Sequence, residues 1–145
     1  MGIRAHSNAP LPGNLLLPDP RVSGGHTLVD VGSEFFTDGK AHPMIDSSCR
    51  RERILTELKN PHVAVLLLDF ILGYDASPDP VGDLMEAIRY ARRKNVGVVA
   101  SVCGTEADPQ GWHKQTKALE EAGVIVMPSA DEAARLCGNV ILAQG

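Results

Sequence analysis

Two hydrophobic periods alternate along this chain, and the switches between them mark out its elements. The run Val-Ala-Val-Leu-Leu-Leu from Val63 ends at Asp69 and is apolar at nearly every position. It predicts a strand over 63–69 covered on both faces, as in a parallel sheet. After a loop to Asp79-Pro80, Leu84, Ile88 and Ala91 recur at helical spacing and predict a helix over 80–94. Arg92, Arg93 and Lys94 fall in its last turn, where cations oppose the negative end of the helix dipole. The pattern then repeats: a strand over 96–102, a loop through Gly104-Thr105, Asp108-Pro109, and a helix over 111–122 closed by Gly123. The two Asp-Pro pairs are spaced by close to the roughly 30 residues of one βαβ unit.

A last strand is predicted over 124–127. Ser129-Ala-Asp-Glu132 has the capping-box pattern and opens a helix that Gly138 would stop after Cys137. Upstream, Thr27–Val31 predicts a first strand ending at Gly32. Asp46 or Ser47 can cap a helix with Ile54, Leu55 and Leu58 as its apolar stripe and Arg50, Arg51 and Arg53 as its wet face. Asn60-Pro61 ends it. Residues 1–25 are rich in Pro and Gly and read as an extended arm or linker, leaving 26–145 as the domain. The alternating order predicts an α/β fold: a three-layer parallel sheet, flavodoxin-like in its simplest topology.

Composition narrows the function classes. Hydrophobic residues make up 43% of the chain and aromatics 4%, so aliphatic side chains must fill the core. The net charge of −4 gives no basic excess for nucleic acid. No apolar run is long enough for a membrane span, and Met1–Pro20 lacks the pattern of a secretory signal. Three cysteines without a Cys-x-x-Cys pair suit a reducing cytoplasm. No ligand spacing points to a metal.

A parallel sheet would gather Asp30, Gly32, Asp69, Gly73, Asp75, Gly104, Thr105 and Pro128-Ser129 along one edge. In Cys103-Gly-Thr-Glu-Ala-Asp-Pro, Gly104 permits close backbone approach, Thr105 offers a hydroxyl, and the next helix offers free N–H groups. That suits a small anion such as phosphate or carboxylate, with Asp108 either part of the site or a plain helix cap. Gly73, Asp75 and Asp79 form the second half of this expected anion site. There crowded carboxylates would raise one pKa for acid–base work, or Asp79 would simply cap and Asp75 turn the chain. Cys103, at a strand end, is either a nucleophile or a packing residue. His42, in the loop before Asp46, is either a general base or phosphate carrier, or a structural histidine. His113 lies in a helix first turn, where the dipole disfavours its charged form. Neither loop carries a Walker A or Gly-x-Gly-x-x-Gly signature.

Several runs resemble a known family: Ser7-Asn-Ala-Pro-Leu11, Glu34-Phe-Phe-Thr37, His42-Pro-Met-Ile-Asp46, Leu66-Leu-Leu-Asp-Phe-Ile-Leu-Gly-Tyr74 with Pro78-Asp-Pro80, and Gly104-Thr-Glu-Ala-Asp-Pro-Gln110. They resemble the C-terminal part of FdrA-type proteins, which are similar to the α subunit of NDP-forming succinyl-CoA synthetase. The resemblance implies an acid–thiol ligase domain of the flavodoxin-like, succinyl-CoA synthetase type. It would be inactive without a CoA-binding domain and a β-type or other partner subunit. It further implies CoA and ATP/ADP as cofactors, none of them held by this domain alone, and a small anionic substrate. A homodimer is the other assembly left open. The Pro-rich start would be the link to the missing domain. The family's phosphohistidine stands in Gly-His-Ala-Gly; here the region reads Gly-Trp-His-Lys, so His113 is in place without its flanking small residues. The acidic Gly-Glu-Ile-Gly-Gly run is replaced by Asp69-Phe-Ile-Leu-Gly73. FdrA-type proteins are also linked to oxamate carbamoyltransferase in allantoin degradation, which gives a second expectation. A non-catalytic docking module is a third.

Overall fold

The structure is a computed structural model that describes residues 2–144. The chain forms two compact units, Met1–Pro43 and Met44–Gly145. The contact boundary thus falls after Pro43, where the sequence divides by composition after residue 25.

In the first unit, β1 (His6–Ser7), β2 (Leu15–Leu16) and β3 (Thr27–Leu28) form a parallel sheet in the order β2-β1-β3. The strand expected over Thr27–Val31 is therefore cut to two residues and pairs with His6–Ser7, outside the larger sheet. Asn8 ends it: its side chain accepts from Asp30 N at 2.8 Å and donates to Asp30 O at 2.8 Å. Those bonds hold the Asp30 backbone in a turn that a strand cannot share. Asp30 and Gly32 accordingly belong to this first unit. The segment 33–46 contains a helical turn, α1 (Glu34–Thr37).

The second unit runs α2 (Ser48–Glu57), β4 (Val65–Ile71), α3 (Pro80–Arg93), β5 (Gly97–Cys103), α4 (Trp112–Glu121), β6 (Ile125–Met127) and α5 (Ala130–Gln144). Its three strands are all parallel, in the order β4-β5-β6, with Val65 opposite Gly97 and Ile71 opposite Cys103. Alternate side chains go to opposite faces. Leu68, Phe70, Val98, Ala100 and Val102 pack among α2, α3 and α4, with Ile54, Leu84, Ile88 and Leu119. The intervening Val65, Leu67 and Val99 meet Ala133 and Cys137 of α5 on the other face. The result is a three-layer α/β arrangement of flavodoxin-like type.

Two local expectations are corrected. Gly138 does not stop the last helix, which runs on to Gln144. A glycine weakens a helix interior by only about 1 kcal/mol, and the apolar run Val140-Ile-Leu142 outweighs it. The arginines of α2 are not a wet face. Arg50 and Arg53 keep only 19% and 12% of their side chains exposed. Arg50 lies over the Phe70 ring, 4.9 Å from its centre, and donates to the Asp69 carbonyl of β4, an outer strand of this sheet.

Candidate functional site

Parallel strands place the ends of β4 and β5 side by side, so the segments 72–79 and 104–111 leave the sheet together. Leu72 N donates to Cys103 O at 2.9 Å and continues the pairing past the last strand residue. Gly104 follows, and its lack of a side chain has a packing cause. A Cβ there would lie 2.7 Å from Leu72 Cβ and 2.8 Å from Leu72 Cγ.

The two Asp-Pro pairs have diverged in role. Asp79 caps α3: its carboxylate accepts from Gly82 N at 3.3 Å, and Pro80 takes the first helical position, where no N–H is needed. Asp108 does not cap α4. Its Oδ2 accepts from Thr105 N at 2.6 Å and Thr105 Oγ1 at 3.1 Å, closing a turn on itself. The helix begins only at Trp112, after Gly111 at φ 71°. Glu106 serves its free end, with Oε2 accepting from His113 N at 2.8 Å. Trp112 Nε1 donates to Val102 O at 3.1 Å, which ties the indole to the end of β5.

Two buried glutamines join the segments, and the sequence reading missed both. Gln110 is 3% exposed. Its Nε2 donates to Gly73 O at 2.7 Å and Ser77 O at 3.0 Å, and its Oε1 accepts from Gly73 N at 3.2 Å. Gln115, 1% exposed, donates to Asp79 Oδ1 at 2.9 Å and accepts from Val81 N at 3.1 Å. A signal existed for Gln115: it precedes the buried Leu119 by four residues, on the inward stripe of α4.

The remaining expected residues scatter. Asp75 and His113 are exposed, as is the Cys103 thiol. Asp46 lies at the start of α2, where Oδ1 accepts from Ser48 N at 2.9 Å and Ser48 Oγ at 2.5 Å. The Ser48 hydroxyl, and then its amide, hold that carboxyl below the usual range. Asp46 borders an open recess of about 310 Å³ with Arg51, Ser77 and Asp83. His42 is in the other unit, its Nε2 2.7 Å from where a Gly32 Cβ would stand, so a side chain at position 32 would push the imidazole aside.

The donor set decides what the strand-end mouth can hold. Every charged residue of 72–79 and 104–111 is acidic: Asp75, Asp79, Glu106 and Asp108. The Thr105 amide and hydroxyl are given to Asp108, and the His113 amide to Glu106. A CoA or nucleotide polyphosphate needs free N–H groups and cations, so these residues do not fit one. Among the described residues no group of His, Cys, Asp or Glu is placed to hold a metal ion, and no helix is long and apolar enough to cross a membrane.

Comparison with known proteins agrees with the architecture. Over 131 residues the chain is 37% identical to the protein named Uncharacterized protein YahF of Escherichia coli (strain K12). The match takes in 86% of this chain and 25% of YahF, so the chain spans about a quarter of that relative's length. The CoA-ligase family profile matches residues 7–140. The chain belongs to the CoA-ligase family.

Proposed function

We propose that this chain is the ligase-type domain of an NDP-forming acyl-CoA synthetase of FdrA type, working in the cytoplasm with a CoA-binding domain and a partner subunit. The observation that carries the reading is the family match across residues 7–140, on a sheet whose parallel strands bring the two loops to one mouth. The acidic character of that mouth supports a division of labour in which the phosphates of CoA and nucleotide are held by the other components. This domain then contributes the Gly73–Asp79 and Gly104–Asp108 segments to a small anionic substrate. That anion would displace Asp108 from Thr105, since the two donors are already paired.

The test is a base-quenched phosphorylation assay on the chain assembled with its CoA-binding and partner components. Labelled ATP, or acyl-CoA with labelled phosphate, should leave label on protein, and His113→Asn reads whether that histidine carries it. No label from either donor rejects the ligase reading. Transfer of the carbamoyl group of carbamoyl phosphate to oxamate, with release of phosphate, would in its place assign the domain to that reaction.

A further inference from the structure

Gln110 belongs to the β5–α4 connection, yet each polar atom of its side-chain amide is bonded to the β4–α3 connection. Both N–H groups and the carbonyl are used, and all three bonds end on backbone atoms of Gly73 and Ser77. The exchange with Gly73 runs in both directions, as between paired strands. A side chain that is 3% exposed has no water to replace these bonds, so breaking them leaves unpaired polar groups inside. Gln115 repeats the arrangement at the far end of the same segment, through Asp79 and Val81. Between the two anchors stand Tyr74, 86% exposed, and the exposed Asp75.

We propose that Gln110 is a positioning residue that makes the two mouth segments one mechanical body, presenting Tyr74 and Asp75 in a single geometry. The coupling stands on the bonds alone. Its consequence, that Gln110 sets substrate affinity, rests on the ligase reading above.

Amide hydrogen exchange on the 145-residue chain tests it. Gln110→Glu keeps the shape and one acceptor but loses both donors above the carboxyl pKa, and it sets a charge against two carbonyls. At pH 8 the Gly73 amide should lose roughly ten-fold in protection, with the 105–108 turn following, while Val99 in β5 stays protected. Towards pH 5, where burial favours a protonated Glu that can donate once, part of that protection should return. Gln110→Met should show the loss without the return. Unchanged protection at Gly73 in both variants, or loss confined to 73–77 with 105–108 unaffected, overturns the coupling. In the assembled enzyme, Gln110→Glu should raise KM several-fold with kcat kept; an unchanged KM overturns the role in affinity. An inactive wild-type assembly would reject the ligase reading, while the exchange result still decides the coupling.

Discussion

Leu72 fills the space that a side chain on Gly104 would need. The two residues sit at adjacent strand ends, and a Cβ on Gly104 would stand 2.7 Å from that of Leu72. Gly104→Ala should therefore destabilise the domain by about 1–3 kcal/mol, read as a lower urea midpoint. Leu72→Ala in the same chain should combine with it less than additively, because alanine removes the Cγ and Cδ1 that crowd a Gly104 side chain while keeping the Cβ. Equal midpoints for wild type and Gly104→Ala would show that the strand ends do not meet this closely. It follows that Gly104→Val cannot by itself test a ligand role.

Asp108 holds donors that an incoming anion would want. Asp108→Ala should lower stability by about 1 kcal/mol through the lost turn bonds, while strengthening the binding of inorganic phosphate at Thr105. Calorimetric titration beside urea unfolding separates the two signs. A fall in both would place the anion elsewhere.

Asp46 gives the fold a pH signature. Its carboxyl pKa is lowered by the Ser48 bonds, so its contribution is present above the unfolded-state value near ~3.9 and is lost as pH falls through the lower folded value. Asp46→Asn should lower stability most at neutral pH, where the contribution is fully present, and converge with wild type as pH falls below about 4, which flattens the acid limb of the stability curve. An unchanged acid limb would mean that Ser48 does not bind the carboxylate in solution.

Arg50 does work that lysine cannot copy. Burial pushes its pKa down and the Asp69 carboxylate pushes it back, and its guanidinium carbon lies over the Phe70 ring. Arg50→Lys should cost roughly 1 kcal/mol, from the weakened cation–π contact with Phe70 and the lost bond to the Asp69 carbonyl. Thermal unfolding of the variant at matched pH measures this; a neutral exchange would show that charge alone suffices.

The cysteines should rank by exposure. Burial raises the Cys137 thiol pKa, while Cys103 is exposed at the end of β5. Native alkylation followed by mass spectrometry should modify Cys103 first and Cys137 last. Early labelling of Cys137 would contradict the packing of α5 on the sheet.

The main sheet was legible because its strands are bounded by Asp, Gly and Pro and have almost no polar interior. The helix of 80–94 and its Asp79 cap were readable for the same local reasons. What failed was inference by analogy between the loops. Asp79 and Asp108 stand in the same dipeptide, but Gly111 delays α4 by several residues, and Asp108 turns back to Thr105. The arginines of α2 misled because pattern reading assigns charge to water, whereas a guanidinium can cover an aromatic ring and a strand edge at once. Gln110 was invisible: its role depends on bonds to Gly73 and Ser77, more than thirty residues away in sequence, and one glutamine in a loop has no period.

ATP formation from acyl-CoA, ADP and phosphate is the most direct measurement of the central claim, made on the chain assembled with its CoA-binding and partner components. The account predicts ATP formation that requires this chain, with a raised KM in Gln110→Glu. No ATP at any acyl-CoA concentration, or full activity with this chain left out, would contradict it.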